Sequence, residues 1–221
     1  IGTQRAGEFF AQNGFITISS DFLGYGKSDN PSSSSIEERF QTYTTALNLF
    51  SSLPNLNSGL DASYSGKIKA DISKVGIWGH SNGGQIALSI LEITGKNYPT
   101  VLWAPVSKPF PYSIFFFMDE FDDHGKALRK VVADFETDYD IELYSPSNFY
   151  SWINAPIQLH QGTVDDAVPV KWSDQLVEDL EKLGKDITYF TYPNSDHNLL
   201  PDGWSTAVKR NLDFYREHLY N

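Results

Sequence analysis

The sequence contains no cysteine, and this absence excludes several kinds of chemistry at once. Without thiols there can be no disulfide bond, no thiolate nucleophile and no zinc site built on cysteine ligands. A chain without cysteine suits a reducing cytosol and suits bacterial secretion equally well, so both compartments stay open. The sequence begins with Ile1 rather than methionine, and targeting therefore cannot be read from it.

Basic residues are also scarce, since 17 Lys and Arg stand against 28 Asp and Glu, for a net charge of −11. Nucleic-acid binding needs clustered Lys and Arg to neutralise phosphates, so we predict no nucleic-acid partner. The negative charge is repelled by anionic membrane surfaces, and no apolar run approaches the roughly 20 residues of a spanning helix. We therefore predict no membrane partner either, while the oligomeric state stays open.

What is present is the composition of one globular domain: 221 residues, of which 40% are hydrophobic and 14% aromatic. Helical and strand-like segments alternate, which predicts an α/β fold with helices on both faces of a mostly parallel sheet. We predict strands at residues 15–19, 75–78, 100–106, 157–161 and 187–192, and helices at 3–12, 36–53, 169–183 and 204–219, with one more opening at Ser81. Residues 107–150 break this pattern, and we interpret them as an excursion from the sheet, of the kind that forms a cap.

A Gly-x-Ser-x-Gly motif stands at Gly79–Gly83. An apolar strand precedes it and a helical run rich in Ile, Ala and Leu follows it. This context favours a sharp strand-to-helix turn that projects the Ser81 hydroxyl above the sheet, while the glycines permit the turn and the close packing of strand on helix. A serine hydroxyl is a weak nucleophile, however, until a neighbouring base takes its proton.

Five histidines are candidates for that base. His197 follows the last predicted strand, at the chain position where the base of a serine hydrolase belongs. The other four have simpler explanations: His80 packs within the turn, His160 is a structural histidine at a strand end, His124 is solvated among acids, and His218 lies on the surface of the last helix. The base in turn needs a carboxylate to orient it. Asp165 and Asp166 follow the preceding strand, and the resulting order of Ser, Asp and His is that of α/β-hydrolases.

Two other motifs are rejected. Gly26-Lys27-Ser28 has the ending of a phosphate-binding loop, but Asp21 stands where that loop requires its first glycine. Asp122-Asp123-His124 has no further ligands at sensible spacing, and we predict a solvated acidic face rather than a metal site.

Several segments together carry a family resemblance: the loop Asp21–Ser28, the Gly79–Gly84 turn, Ser145-Pro146, Ala155-Pro156, the acid loop Gly162–Pro169 and the segment Tyr192–His197. They resemble the catalytic domain of the prolyl-oligopeptidase (S9-like) and dienelactone-hydrolase-like branch of the α/β-hydrolase superfamily, over nearly the whole chain. One departure is Leu23, where the family usually has Arg, and its consequence is the loss of a structural ion pair rather than of a catalytic group.

The resemblance implies an α/β-hydrolase fold with a cap after the strand at 100–106, the sixth strand in the family's order. It also implies a Ser-His-Asp mechanism without a cofactor, in which Ser81 is the nucleophile and His197 the general base. The family's spacing after the loop glycine selects Asp165 over Asp166 as the acid. The backbone N–H of Asn82 is implied as one oxyanion donor.

The substrate is less well defined by the sequence. Aromatic residues in the excursion (Phe110, Tyr112, Phe115, Phe116 and Phe117) either line an apolar pocket or pack the excursion onto the body, and we take Val106, Phe110 and Tyr25 as candidate substrate-binding residues. The family's peptidases usually carry a propeller that selects short peptides, and nothing in this sequence supplies one. A carboxylesterase for small or aromatic esters is therefore our first prediction. An S9-like serine peptidase acting on short peptides is the alternative, and a non-catalytic binding protein on the same fold is a third.

Family topology raises one further expectation. The strand that carries the second oxyanion donor precedes the first helix and lies between the strands at 15–19 and 75–78, and the sequence has no residues left to supply it. We expect the natural protein to extend upstream of Ile1 with this strand and its loop, because an empty slot would leave buried backbone groups without partners. Direct pairing of the two flanking strands would contradict this expectation.

Overall fold

The computed structural model describes residues 2–220 and shows a parallel sheet between two layers of helices. Its strands are β1 (Ile77–His80), β2 (Thr100–Trp103), β3 (Ile157–Gly162) and β4 (Ile187–Tyr192). Its helices are α1 (Gly2–Gln12), α2 (Ser35–Ser52), α3 (Leu56–Tyr64), α4 (Asn82–Thr94), α5 (Tyr112–Phe115), α6 (Lys126–Glu136), α7 (Val170–Lys182) and α8 (Trp204–Tyr220). Within residues 2–220, no helix combines the length and the apolar character needed to cross a bilayer.

The four strands follow one another across the sheet in chain order, and every neighbouring pair is parallel. Every residue of the two central strands β2 and β3 is buried, as expected for a parallel sheet that is covered on both faces. Because parallel strands need crossover connections, their carboxyl ends meet at one edge of the sheet. The loops after β1, β3 and β4 therefore open on the same side.

Side chains of the two sheet faces pack against different helices. One face, with Leu102 and Leu159, packs against α2, α4 and α7. The opposite face, with Val101 and Trp103, packs against α1 and α8. Helix α4 is buried at every position from 84 to 92, so it forms the centre of its layer. The predicted α/β-hydrolase architecture is confirmed, including the helices at 3–12, 36–53, 169–183 and 204–219, whose ends are correct to within one residue.

The strand predicted at residues 15–19 is wrong. This segment has no strand partner, and the side chains of Ile16 and Ile18 are about two-fifths exposed, at 41% and 44%. An open cleft of about 920 Å³ separates it from β1, so the two do not pair directly. A β-rich sequence forms a strand only where a neighbour completes its hydrogen bonds, and none of the described residues fills this cleft. Two smaller corrections are that β1 begins two residues later than predicted and that β2 ends at Trp103.

Residues 107–150 leave the sheet, as predicted, and form α5, α6 and several short 3₁₀ turns. Their apolar side chains form a separate cluster with α2. Phe40 of α2 contacts both Phe110 and Tyr144, with ring centroids 5.6 and 4.7 Å apart. The excursion is thereby attached to the body of the domain next to the carboxyl edge of the sheet.

Candidate active site

Ser81 occupies the turn between β1 and α4. Its backbone has φ 58° and ψ −122°, a conformation that residues other than glycine rarely adopt. The Ser81 N–H donates to the carbonyl of Trp103 at 2.9 Å, and the Ser81 carbonyl accepts from Gly84 and Val106, each at 3.0 Å. These three hydrogen bonds hold the strained turn against β2 and the first turn of α4.

The glycine at position 79 is required by the close approach of strand and helix. A Cβ atom there would lie 2.5 Å from the carbonyl oxygen of Gly83 and 3.0 Å from the Cα of Gly84. Any larger residue would push α4 away from β1 and open the turn that presents Ser81. The sequence motif is therefore explained by packing as well as by chemistry.

Asp165 lies in the loop that follows β3, and its side chain is 0% exposed. One carboxylate oxygen accepts from the N–H groups of Ala167 and Val168, at 2.9 and 2.8 Å. The other oxygen accepts from Nδ1 of His197 and from Nε2 of Gln161, each at 2.9 Å. All four donors favour the charged form of the carboxyl group.

These hydrogen bonds decide the protonation state of Asp165. Burial alone would raise the pKa of this carboxyl group, but the hydrogen bonds from His197, Val168 and Gln161 together hold the pKa below its ordinary value. Asp165 is thus an anion at neutral pH and can accept the Nδ1 proton of His197. In the neutral imidazole this arrangement places the proton on Nδ1, so that Nε2 can accept one.

His197 lies in the loop after β4, and its side chain is only 17% exposed. The loop passes very close to β3: a Cβ atom on Gly162 would overlap the backbone carbonyls of Ser195 and Asp196. The Asp196 carboxylate accepts from the N–H groups of Asn198 and Leu200, at 2.8 and 2.9 Å, which closes the loop beyond the histidine. This loop between β4 and α8 (residues 193–203, called the base loop below) is therefore held against the acid loop (Gly162–Pro169) by backbone contact as well as by the Asp165–His197 bond.

The turn that carries Ser81 meets the base loop through the preceding residue. Nε2 of His80 lies 2.9 Å from the His197 carbonyl oxygen, and the two rings lie 4.5 Å apart between centroids. The Ser81 hydroxyl has no hydrogen-bond partner within residues 2–220. Catalytic hydrogen bonds often form only once substrate is bound, so this hydroxyl is available to a reacting group.

Gln161 is a site residue that the sequence analysis missed. Its amide nitrogen donates to Asp165, and its amide oxygen accepts from the Ser173 hydroxyl of α7 at 2.6 Å. A glutamine that directly precedes the acid loop in a buried strand is the signal that was available, since a buried amide must have partners. Asp166, by contrast, is exposed and makes no side-chain hydrogen bond among the described residues.

The three candidate substrate-binding residues lie in different surroundings. Val106 is half-buried and is bonded through its N–H to the Ser81 carbonyl, so it adjoins the Ser81 turn. Phe110 is 2% exposed and packs against α2 and α6 in the excursion cluster, where it lines no open surface. Tyr25 is 69% exposed. The structure thus brings only Val106 next to the Ser81 turn by a direct contact.

The remaining candidates take structural or surface positions. His160 is fully buried and hydrogen-bonded to the Tyr192 hydroxyl at 2.7 Å, which confirms the prediction of a structural histidine. His124 and His218 are exposed, as predicted. The Asp123 carboxylate accepts from the N–H groups of Gly125 and Ala127, at 2.9 and 2.7 Å, and so caps α6. No cluster of potential ligands suited to a metal ion occurs in the described part of the chain.

Comparison with known proteins agrees with this architecture. A curated relative, "Dipeptidyl peptidase family member 6" of Caenorhabditis elegans, is 30% identical over 138 residues, which are 59% of this chain and 18% of that protein. The chain thus spans less than a fifth of that relative. A structure of Est1E from Butyrivibrio proteoclasticus with ferulic acid bound has a TM-score of 0.64 at 15% identity, covering 100% of this chain and 82% of that one. The monoacylglycerol lipase of Paleococcus ferrophilus has a TM-score of 0.60 at 16% identity, covering 97% and 88%.

These structural likenesses lie below 25% identity and concern the fold, in which this chain is an α/β-hydrolase. The sequence model of the prolyl oligopeptidase family matches residues 8–221, which is almost the whole chain. The match includes the Ser81 turn, the acid loop and the base loop. The chain therefore belongs to the prolyl oligopeptidase family and has the α/β-hydrolase fold.

Proposed function

We propose that this hydrolase cleaves carboxylic esters through an acyl-enzyme on Ser81. His197 takes the proton of the Ser81 hydroxyl as that oxygen attacks the ester carbonyl, and then gives the proton to the leaving alcohol. Water releases the acyl group by the same steps in reverse. Neither stage needs a cofactor.

The observation that carries this proposal is the buried Asp165–His197 hydrogen bond of 2.9 Å on Nδ1. Because the carboxylate accepts from Nδ1, the other ring nitrogen is free to act as the base. A surface ion pair would not need four donors around one fully buried carboxylate, whereas the orienting acid of a triad does. This buried, oriented imidazole argues against a purely binding role.

Developing negative charge on the substrate oxygen requires donors that are already in position. The N–H of Asn82 is the first of α4, so it has no acceptor one turn earlier in that helix. It also lies at the positive end of the helix dipole. We assign it as one oxyanion donor.

An apolar wall beside the triad favours an ester with a hydrophobic group. Val106, Val168 and Trp172 form one cluster, in which Val106 is bonded to the Ser81 carbonyl and the N–H of Val168 is bonded to Asp165. The partly exposed ring of Phe116 packs edge-on against Trp172, with centroids 4.9 Å apart. Val106 and Phe116 are the partly exposed members of this group, so an acyl or alcohol group can bury apolar area against them.

A fluorophosphonate probe tests the activated serine. It should label the wild-type protein and should not label Ser81→Ala, because only a serine beside a working base reacts readily. The matched control is Ser195→Ala, which changes a buried serine of the base loop whose hydroxyl has no partner among the described residues. Equal labelling of wild type and Ser81→Ala would contradict the assignment of the nucleophile.

The ester assignment needs substrates that share one acyl group. A p-nitrophenyl ester and a p-nitroanilide of the same acyl group should be compared, and each kcat/KM divided by the rate constant of hydroxide-catalysed hydrolysis, because esters are intrinsically more reactive. After this correction we expect the ester to be preferred by at least about tenfold, or about 1.4 kcal/mol of transition-state binding. An anilide that is processed equally well would overturn the ester proposal and support a peptidase.

A peptidase acting on short peptides is the second candidate, and the 30% identity to a dipeptidyl peptidase family member favours it. The two candidates differ in what they recognise at the amino end. A peptidase selective for free peptide ends should hydrolyse a dipeptidyl anilide and reject its N-acetylated form. An esterase should be indifferent to acetylation at that distance from the carbonyl.

A further inference from the structure

We propose that His80 is a positioning residue for the base: it donates a hydrogen bond from its ring to the backbone of His197 and so fixes the direction in which that imidazole faces Ser81. This inference rests on the proposed function, in which His197 accepts the serine proton. It concerns a different group from the triad itself, because the His80 side chain contacts the base loop rather than the reacting atoms.

The contact joins two strands that are not neighbours. His80 is the last residue of β1, whereas His197 follows β4, and β2 and β3 lie between them in the sheet. Nε2 of His80 nevertheless reaches the His197 carbonyl oxygen at 2.9 Å. Within residues 2–220 no other group donates to that carbonyl. The hydrogen bond is therefore the direct polar link between the nucleophile turn and the base loop.

The chemistry of the acceptor fixes the state of the donor. A carbonyl oxygen only accepts, so Nε2 of His80 must carry a proton. Burial and the neighbouring His197 ring both lower the pKa of His80, which keeps this imidazole neutral at neutral pH. A neutral donor matters here, because a second cation stacked 4.5 Å away would oppose the positive charge that His197 acquires during catalysis.

Two fixed points define the orientation of the base better than one. Asp165 holds Nδ1 of His197, but the imidazole can still pivot about that single hydrogen bond. The bond from His80 holds the backbone of the same residue, and the two rings lie in contact, tilted by 33°. Since His80 directly precedes Ser81 in the chain, any shift of the nucleophile is transmitted to the base. A displacement of about 1 Å between reacting groups can cost about 100-fold in rate.

A packing role is the alternative, since the His80 ring also packs against Trp78 and Trp103, with ring centroids 6.0 and 6.5 Å away. Two substitutions separate the roles. His80→Phe keeps an aromatic ring of similar size and loses the donor. His80→Gln loses the ring and keeps an amide N–H at about the reach of Nε2.

The experiment measures kcat and KM for a p-nitrophenyl ester, together with the rate of fluorophosphonate labelling and the melting temperature. We expect His80→Phe to lower kcat and the labelling rate about 10- to 100-fold, with KM within about threefold of wild type. His80→Gln should restore kcat to within about fivefold, although it packs less well. Equal kcat in wild type and His80→Phe would overturn the proposal, and so would equal losses in both variants, because shape alone would then matter.

A second measurement needs no variant and covers the case in which His80→Phe does not fold. In protein labelled with ¹⁵N-histidine, NMR should show His80 as the neutral tautomer with its proton on Nε2. A proton on Nδ1, or a charged ring at pH 7, would overturn the proposal. Failure of the proposed function looks different: wild-type protein would then neither turn over esters nor react with fluorophosphonate, whatever the state of His80.

Discussion

The two sides of the sheet differ in how many hydrogen-bond donors surround their buried carboxyl groups. On the side of β3 and β4, the buried carboxylate of Asp165 has four hydrogen-bond donors, and its pKa is lowered. On the side of β1, helix α4 buries the carboxyl group of Glu92, one oxygen of which has no partner among the described residues. Burial raises the pKa of Glu92 to about 9. One carboxyl group is therefore held charged and the other neutral.

The backbone shows the same contrast. Strand β3 pairs on both edges and is buried at all six positions, whereas β1 pairs only with β2 and faces the open cleft of about 920 Å³. The loop that carries Asp165 thus follows a strand that is paired on both edges, whereas Ser81 and the loop that carries His197 follow the two edge strands, β1 and β4. The His80–His197 hydrogen bond joins the ends of these two edge strands across β2 and β3.

The largest expected effect comes from removing the nucleophile. Ser81→Ala should lower ester turnover on the order of 10⁶-fold, because no other group can form the acyl-enzyme. Its melting temperature should stay close to that of wild type, since alanine keeps the Cβ in the same strained backbone. Steady-state kinetics on freshly purified protein measures the loss. Retention of a substantial fraction of the activity would contradict the assignment.

Substitution of the two adjacent acids, Asp165 and Asp166, tests which carboxylate orients His197. Asp165→Asn should lower kcat by about 10³- to 10⁴-fold, because an amide can present its N–H to Nδ1 and favour the wrong tautomer of His197. Asp166→Asn is the matched control and should change kcat by less than about threefold, since that side chain is exposed. Kinetics of both variants with one ester measures the ratio. The reverse ranking would show that Asp166 orients the base.

The buried carboxyl group of Glu92 predicts that the free energy of unfolding depends on pH. The ordinary pKa of a glutamate side chain is 4.5, whereas that of Glu92 in the folded protein is about 9, so the folded state holds a proton that the unfolded state releases. Stability should therefore fall as pH rises from about 4.5 to about 9. Glu92→Gln removes this dependence and should be more stable than wild type at pH 8, by on the order of 4 kcal/mol.

Chemical denaturation of wild type and Glu92→Gln at pH 5 and pH 8 checks this prediction. The difference in unfolding free energy should be small at pH 5 and large at pH 8. The same difference at both values would mean that Glu92 finds a charged or hydrogen-bonded partner. Lys182→Gln is a suitable control, because this lysine pairs with Glu178 on the surface and titrates far above the tested range.

The last comparison concerns side-chain packing, and its exposed member carries the smallest expected effect. Leu159 is fully buried in β3, so Leu159→Ala should lower the unfolding free energy by about 2–5 kcal/mol. Ile18 is 44% exposed beside the cleft, and Ile18→Ala should cost less than about 0.5 kcal/mol. Urea denaturation of the two variants measures both values. Similar losses would show that the segment at residues 15–19 is packed as firmly as the sheet.

The sequence predicted those features whose signals are local. The periodicity of α7 and α8, the buried runs of β3 and β4, and the glycines around Ser81 each lie within one short segment. Their elements were placed to within a residue or two. The positions of Ser81, Asp165 and His197 after their strands follow from the same local patterns.

The features that were missed depend on contacts between distant segments. Residues 15–19 have strand-like composition, but whether they form a strand depends on a neighbour, which composition does not describe. Phe110 was taken as a substrate contact, yet it packs against α2, 70 residues earlier in the chain. His80 was expected only to pack, and its hydrogen bond reaches a residue 117 positions away. Gln161 lies in β3, and its hydrogen-bond partners come from the acid loop and from α7.

The backbone conformation of Ser81 has a consequence for the thermal stability of this protein. A residue with a Cβ in that conformation costs on the order of 1–3 kcal/mol, whereas glycine adopts it freely. A chain with glycine at this position would resist unfolding better than the wild type and would have no nucleophile. Random mutagenesis that selects only for heat resistance should therefore favour dead enzyme at this one codon. Mutagenesis that aims to raise the melting temperature of this protein therefore has to select for turnover at the same time.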